Sequence, residues 1–161
     1  MRTIYLDSVR TNRPTVEHAT WLARLCGRVR TVASLPTRMI LMDRRTAMLS
    51  VSSDDTAAGA VLLTGQGTLT ALCALFETTW EAARPLGEIV PTGPNGLTGQ
   101  QTTALGLLAG GHTDEAIAKR LGVSPRTARR TASELMDRLD TRSRFEAGVR
   151  AVQQGWLPPR P

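Results

Sequence analysis

Four side chains with the spacing of one helical face stand near the start of the segment 125–139. They are Arg126, Arg129, Arg130 and Ser133. Because positions three or four apart are neighbours on an α-helix, these side chains would share one face. Guanidinium groups bind phosphate oxygens or the O6 and N7 acceptors of guanine, and hydroxyl groups do either more weakly. The pattern therefore predicts contact with nucleic acid.

The helix that carries these side chains has a clear predicted start. Ser124 is a typical N-cap, and Pro125 occupies the first helical position. Ser124 and Thr127 are also predicted to contact the nucleic acid. Thr113 caps the preceding helix, which ends at a glycine, so that residues 122–124 form a short turn. A helix, a glycine-containing turn and a second helix make a helix-turn-helix unit, whose second helix enters the major groove by its N-terminal end. Thr113 and the first N–H groups of its helix would receive a backbone phosphate.

Two further helices flank this unit in the predicted back domain. Thr98 with Gln101 predicts a capping box for the first helix, and Ser143 with Glu146 predicts another for the last. The inner faces are predicted from apolar spacing, and Arg138 is predicted to point outward with the other arginines. The predicted inner residues are Leu105, Leu108 and Ala109, then Ala116, Ile117, Ala118 and Leu121, then Ala128, Ala132, Leu135 and Leu139. The alternative is a helical bundle with a solvated arginine face, but two caps, a turn of this length and a basic helix start favour DNA binding.

A set of residues in the back part of the chain resembles the LuxR-type, or NarL-like, DNA-binding domain over residues 95–157. The residues that carry this resemblance are Leu97, Thr98, Leu105, Leu108, Ala109, Gly111, Thr113, Glu115, Ile117, Ala118, Leu121, Val123, Ser124, Thr127, Leu139, Arg144, Glu146 and Ala147. The resemblance implies a four-helix domain in which the third helix reads DNA and the fourth often dimerises. It also implies that Arg129, Arg130 and Ser133 hold contact positions.

This chain departs from the family pattern at two places. Gln100 and Gln101 stand where the family usually has an Arg-Glu pair, and Thr131 stands where it usually has His. In the family, the Glu of this pair helps to fix the helix packing and the phosphate contacts. Because Gln101 replaces it here, the resemblance does not carry those contacts over. The target sequence of the family is not carried over.

The segment 85–96 contains three Pro and three Gly in twelve residues, which is typical of a linker. It predicts a front domain over residues 1–84 and a back domain over residues 97–157. The chain carries a net charge of +6, and the residues before position 96 contribute ten basic and eight acidic side chains, or +2. The rest contribute ten and six, or +4, so positive charge is denser in the back part, as a polyanionic partner requires.

The front part alternates strand and helix patterns in the order β-α-β-β-β-β-α, which predicts a small α/β sandwich. A hairpin is predicted at residues 43–45. Leu72, Phe76 and Trp80 give the second helix more apolar surface than a small sheet covers, which predicts a homodimer through this domain. The predicted strands are residues 2–6, 28–32, 38–42, 47–51 and 60–63, and the predicted helices are residues 14–27 and 69–84.

The runs 36–43 and 47–51 are similar to one repeat of the phospholipase-D-like fold, which some regulators and TrmB-like proteins carry in degenerate form. Active repeats need His-x-Lys-x4-Asp, with His as the nucleophile. Here Arg38, Met39 and Ile40 stand at that place, and His18 lies in a helix pattern. The resemblance therefore implies a lost phosphodiesterase activity and a pairing of repeats, in agreement with a dimer.

No catalytic, cofactor or metal site is predicted. Two cysteines, Cys26 and Cys73, cannot make a disulfide framework and are predicted to be core residues in a reducing cytosol. Residues 52–55 have two adjacent carboxylates, and a solvated loop is favoured there over a cation site. No apolar run reaches the ~18 residues of a membrane span, and the first residues lack the apolar stretch of a signal peptide.

The sequence thus favours an α+β protein, a small α/β sandwich followed by an all-α LuxR-type helix-turn-helix domain without a wing. Its predicted function is a cytoplasmic bacterial transcriptional regulator, not an enzyme, with residues 125–139 as the recognition helix. The predicted partners are double-stranded DNA, a second copy of the chain and RNA polymerase, and no membrane. The alternatives are a phospholipase-D-like phosphodiesterase and a module that contacts a polymerase subunit rather than DNA.

Overall fold

The computed structural model describes residues 1–52 and 56–159, and the chain divides into two compact units. The discontinuous unit comprises Met1–Ser34 and Pro85–Pro161, and the inserted unit comprises Leu35–Arg84. Residues 1–34 therefore pack with the C-terminal part of the chain rather than with residues 35–84. An independent domain over residues 1–84 stays a prediction, and the compact units divide that range after residue 34.

A buried polar cluster explains why the two ends of the chain share one unit. Arg10 donates from Nη1 to the carbonyl oxygens of Leu86 at 2.8 Å and of Glu88 at 2.6 Å. Its Nε donates to Oγ1 of Thr31 at 2.8 Å, and Thr31 donates to Oδ1 of Asp7 at 2.6 Å. Thr31 is only 1% exposed. The start of the predicted linker is thus held by hydrogen bonds to the first 34 residues.

The first 34 residues form a β-α-β element in which β1 (Arg2–Leu6) and β2 (Arg28–Val32) pair in parallel. α1 (Arg13–Arg24) connects them, and β6 (Arg84–Pro85) lies next to β2 in the sheet. α1 ends three residues before the predicted end, because Cys26 adopts a left-handed φ of 60°. Cys26 is exposed and Cys73 half-buried, so the prediction that both are core residues is wrong for Cys26.

The inserted unit has an antiparallel sheet in the order β3-β4-β5. The hairpin is confirmed: Asp43 and Arg44 adopt φ values of 51° and 56°, which are typical of the tight turn that joins two strands. The strands of residues 1–84 thus belong to two separate sheets, and the phospholipase-D-like repeat stays a prediction. The elements of this unit are β3 (Met39–Met42), β4 (Thr46–Ser50), β5 (Ala60–Leu63) and α2 (Gln66–Ala82).

One face of the β3-β4-β5 sheet is apolar and exposed to solvent. Ile40, Met48 and Leu62 lie opposite one another in register, with exposed fractions of 57%, 38% and 59%. By contrast, Trp80 on α2 is 6% exposed and stacks on Phe76. The predicted excess of apolar surface therefore lies on the sheet and not at Trp80. Ser53, Asp54 and Asp55, the residues considered for a cation, lie outside the described residues.

The C-terminal part of the discontinuous unit consists of α3 (Gly99–Ala109), α4 (Asp114–Leu121), α5 (Pro125–Arg138) and α6 (Arg144–Gln153). α3 packs against α4, α5 and α6. The predicted inner face of α3 is wrong at Ala109, which is exposed beside Gly148, while Ala104 is buried instead. The core is formed by Leu97, Ala104, Leu105, Leu108, Ile117, Ala118, Leu121, Ala128, Ala132, Leu135, Leu139, Ala147 and Ala151.

Within residues 1–52 and 56–159, no helix combines the length and the apolar character that crossing a bilayer requires. The same part of the chain holds no group of three or more His, Cys, Asp or Glu side chains arranged to bind a metal ion.

Candidate nucleic-acid interface

The caps of the two central helices are as the sequence predicts. The Ser124 hydroxyl accepts from the N–H of Thr127 at 3.1 Å and lies 2.9 Å from the Thr127 hydroxyl. Gly122 ends α4 with a left-handed φ of 63°. The turn between α4 and α5 is therefore short and defined at both ends, which fixes the direction in which α5 leaves it.

α5 separates its side chains into a buried and an exposed stripe. Ala128, Ala132 and Leu135 are each at most 4% exposed and face the core. The opposite stripe, Arg126, Arg129, Arg130 and Ser133, is exposed over two turns from the N-terminal end. The structure thus brings these four predicted residues together on one solvent-facing surface, which we call the arginine stripe.

Two arginines of the stripe have acidic neighbours that orient them without burying them. Nε of Arg129 lies 3.4 Å from Oδ2 of Asp114, and Nε of Arg130 lies 3.4 Å from Oε1 of Glu134. The two arginine side chains are 71% and 73% exposed, so both guanidinium groups remain accessible to solvent. Arg126 forms no ion pair within the described part of the chain and is exposed.

Asp114 is the residue of this region whose role the sequence pattern did not indicate. It is 8% exposed at the start of α4, and it accepts from Arg129 and, at 2.7 Å, from Nη2 of Arg144 on α6. One carboxylate thus joins α4, α5 and α6. An acid in the first turn of a helix is explained by the helix dipole alone. Its partners lie 15 and 30 residues away, where no local spacing connects them.

Arg138 is exposed near the C-terminal end of α5, as predicted, but it lies outside the arginine stripe. Its Nη2 donates to the carbonyl oxygen of Asn95 at 2.9 Å, and its guanidinium lies 5.7 Å from the centre of the Trp156 ring. It therefore holds the segment before α3. The second predicted capping box is only half formed, because Glu146 accepts from the N–H of Arg142 while Ser143 caps α6.

The N-terminus of α4 offers a hydroxyl beside the arginine stripe. Oγ1 of Thr113 accepts from the N–H of Ala116 at 3.2 Å and is exposed, so its O–H stays available as a donor. At α3 the first capping box is complete: Thr98 accepts from the N–H of Gln101, whose side chain accepts from the N–H of Thr98. Gln101 therefore completes the capping box at the position where the family usually has Glu.

α6 presents an exposed apolar edge that the described chain does not cover. Phe145, Val149 and Val152 are 83%, 41% and 37% exposed, and their spacing puts them on one helical face. They border a groove of about 540 Å³ whose floor includes Gly106 and Ala109 of α3.

A comparison with protein families identifies the same region. Residues 95–151 match the family described as "Bacterial regulatory proteins, luxR family". The chain is 30% identical, over 125 residues, to the Bialaphos biosynthetic pathway regulatory protein of Streptomyces hygroscopicus, a match that covers 78% of this chain and 49% of that protein. It is also similar to a chain in the crystal structure of the phage VqmA-DPO complex, with 20% identity and a TM-score of 0.37 over 72% of this chain and 50% of that one.

The chain spans about half the length of the relative and of the solved structure that it matches. The family match contains all of α3, α4 and α5 and most of α6, with both caps and the arginine stripe. Residues 95–151 are therefore a helix-turn-helix domain of the luxR family of bacterial regulatory proteins.

Proposed function

We propose that this protein is a transcriptional regulator that binds duplex DNA as a dimer, with residues 125–139 as its recognition helix. The observation that carries this proposal is the arginine stripe: four polar side chains exposed on the N-terminal half of α5, opposite a stripe packed into the core. A capped helix of this kind, held at a fixed angle by a short turn, is what the major groove accepts.

The roles within the stripe follow from position and partners. Arg129 and Arg130 lie on the second turn of α5 and read base edges, preferring guanine O6 and N7. Arg126 is nearest the start of the helix and binds a backbone phosphate, and Ser133 extends the contact on the same face. On approach to DNA, Arg129 exchanges Asp114 for an acceptor on the nucleic acid, which the exposure of this pair permits.

Three hydroxyl residues position the domain on the DNA backbone. Ser124 and Thr127 lie at the leading end of α5, and Thr113 lies at the leading end of α4. Hydroxyl groups and helix N-termini are common phosphate contacts and carry no sequence information. We therefore assign these residues to register and orientation rather than to selectivity.

The dimer forms through the exposed apolar edge of α6, where a second copy covers Phe145, Val149 and Val152. A two-fold axis joins identical surfaces, and this edge is apolar, as a dimer core requires. Two recognition helices then meet half-sites about 34 Å apart, one helical turn. The inserted unit adds a second self-association or sensor surface through its exposed sheet face.

The test is DNA capture across the genome followed by titration of the selected site. Arg129→Ala should weaken binding about 5- to 150-fold and relax the base preference at one position, because one bidentate contact contributes roughly 1–3 kcal/mol. Arg45→Ala, an exposed arginine of the inserted unit, is the matched control and should bind as the unaltered protein does. Unchanged affinity and selectivity in Arg129→Ala would contradict the assignment of α5.

The same titration addresses the two alternatives. A polymerase-contacting module would not bind the duplex even at low salt, whereas phosphate contacts give a steep salt dependence. A phosphodiesterase would need a nucleophilic His. His18 of the front part is an exposed residue of α1 that stacks on Trp21, and a phosphodiesterase assay on the same preparation should give no turnover.

A further inference from the structure

Asp114 bonds to two arginines, and it holds them unequally. Its Oδ1 accepts from Nη2 of Arg144 at 2.7 Å, whereas its Oδ2 lies 3.4 Å from Nε of Arg129. Hydrogen bonds between a guanidinium and a carboxylate are strongest at about 2.7–2.9 Å, so the first bond is strong and the second is weak. Arg144 is therefore the firmly bound partner of this carboxylate, and Arg129 is the partner that can leave.

The surroundings of the two arginines agree with these distances. Nη1 of Arg144 lies 3.4 Å from the carbonyl oxygen of His112, so Arg144 also bonds to the segment before α4. Its side chain is 43% exposed, and that of Arg129 is 71% exposed. Within the described residues, Asp114 is the group to which the guanidinium of Arg129 donates. Arg129 can leave it without losing a second polar contact.

The carboxylate stays compensated when Arg129 leaves. The Asp114 side chain is only 10% exposed, and a charge that is buried without a partner destabilises a protein. Here Arg144 remains at 2.7 Å, and the carboxylate lies in the first turn of α4, where the helix dipole favours an acid. The exchange of Asp114 for an acceptor on DNA therefore leaves no unpaired buried charge behind.

Asp114 also offers Arg129 a partner where the duplex offers none. A site that hydrogen-bonds its ligand rejects a wrong ligand chiefly because its own polar groups then stay unpaired. Beside a base pair without an acceptor in reach, Arg129 keeps its bond to Asp114 instead of staying unpaired. Such a base pair then costs less binding free energy than it would without the carboxylate.

We infer that Asp114 sets how strictly α5 discriminates among base pairs at the position that Arg129 reads, and that it makes this discrimination weaker. Asp114 acts through Arg129 and is a positioning residue, not a contact to DNA. The inference rests on the proposed function and deepens it, because it assigns an effect on selectivity to a residue outside the arginine stripe.

The variant Asp114→Asn separates the two partners. An Asn side chain has the shape of Asp but one acceptor oxygen and one NH2 donor group. Arg144, the firmly bound partner, takes the oxygen, so the NH2 group faces Nε of Arg129 and offers it no acceptor. Glu134→Gln is the matched control. It removes the same charge from α5 beside Arg130, whose Nε lies 3.4 Å from Oε1 of Glu134.

The test measures a ratio of affinities rather than one affinity. Fluorescence anisotropy titrates four labelled duplexes: the site selected by the genome-wide capture, and three copies with each other base pair at the position that Arg129→Ala relaxes. In Asp114→Asn the preference for the selected base pair should rise roughly 1.5- to 5-fold, which is what an exposed ion pair contributes. Glu134→Gln should leave this preference unchanged, and adding Asp114→Asn to Arg129→Ala should not alter it.

The possible outcomes separate the inference from the proposed function. A preference that stays the same or falls in Asp114→Asn would overturn the inference. An equal rise in Glu134→Gln, or a rise that persists without Arg129, would overturn it as well, because lost charge or altered packing would then explain the change. Unaltered protein with equal affinity for all four duplexes would refute the proposed function instead.

A second variant covers the case in which thermal melting shows Asp114→Asn to be unfolded. Asp114→Ser has a side chain too short to reach Arg129, and it should raise the same preference. An unchanged preference in Asp114→Ser would count against the inference.

Discussion

The two compact units of this chain differ in net charge and in where they expose apolar side chains. The discontinuous unit has a contiguous apolar core among its four C-terminal helices and exposes an apolar edge only along α6 of these helices. It contains sixteen basic and nine acidic side chains, which give it a net charge of +7. The inserted unit has a net charge of −1 and leaves one face of its sheet apolar and exposed. A polyanion suits the first surface, and a second protein surface suits the other. The difference in net charge supports the proposal that the discontinuous unit, and not the inserted unit, binds DNA.

The largest expected effect tests the closed core of the discontinuous unit. Leu135→Ala, at a side chain that is 1% exposed, should lower the free energy of unfolding by about 2–5 kcal/mol, because it leaves a cavity. Leu62→Ala, at a side chain that is 59% exposed in the inserted unit, should cost much less. Urea unfolding followed by circular dichroism measures both. Equal losses in the free energy of unfolding would contradict the distinction between the buried core at Leu135 and the exposed sheet face at Leu62.

The next effect tests the connection between the two ends of the chain. Arg10→Ala removes the donors to Thr31, Leu86 and Glu88, and should cost about 1.5–3 kcal/mol because hydrogen bonds from charged groups are strong. Arg13→Ala is the control, since its pair with Glu17 is 90% and 64% exposed. Such a pair contributes little. A loss no larger in Arg10→Ala than in Arg13→Ala would contradict a structural role for the cluster.

A smaller effect tests the contact between the β-α-β element and the turn. Gly122→Ala and Gly111→Ala both place a Cβ at a left-handed φ, which costs roughly 1–2 kcal/mol. Only Gly122 has Leu6 and Ser8 in the way, whereas nothing lies within 4 Å of a Cβ at Gly111. Gly122→Ala should therefore be the more destabilising, and Leu6→Ala should relieve part of the excess. Equal melting temperatures for the two glycine variants would disprove the contact.

The smallest effect on stability tests the inserted unit alone. Met48→Glu introduces a charge at the centre of the exposed sheet face, where Met48 is 38% exposed. Sedimentation should detect weaker self-association of the full chain with little change in unfolding. The DNA salt slope should stay the same, because the change lies outside the charged unit. A dimer that survives Met48→Glu but dissociates in Phe145→Glu would assign association to α6 alone.

Local patterns predicted the elements of this fold well. The order of strands and helices, the 43–45 hairpin, the caps at Thr98, Thr113 and Ser124, and the arginine stripe all depend on residues within a few positions of one another. Predictions failed where a side chain had two options that local spacing does not distinguish. Cys26 fits a buried helical position but adopts a left-handed conformation after the helix has ended. Ala109 fits the apolar spacing of the inner face of α3 but is exposed beside Gly148, and Ala104 is buried instead.

The sequence by itself determined that a capped helix with an exposed arginine stripe follows a short glycine turn, because backbone caps and helical periodicity are local physics. Only the tertiary structure decided which segments belong to the same compact unit. The hydrogen bond from Arg10 to Leu86 joins residues 76 positions apart in the sequence, and the hydrogen bond from Arg144 to Asp114 joins residues 30 positions apart. Contacts at such separations depend on how whole elements pack. The composition of residues 85–96 predicted a linker between two domains. The hydrogen bonds of Arg10 instead hold the start of that segment against residues 1–34.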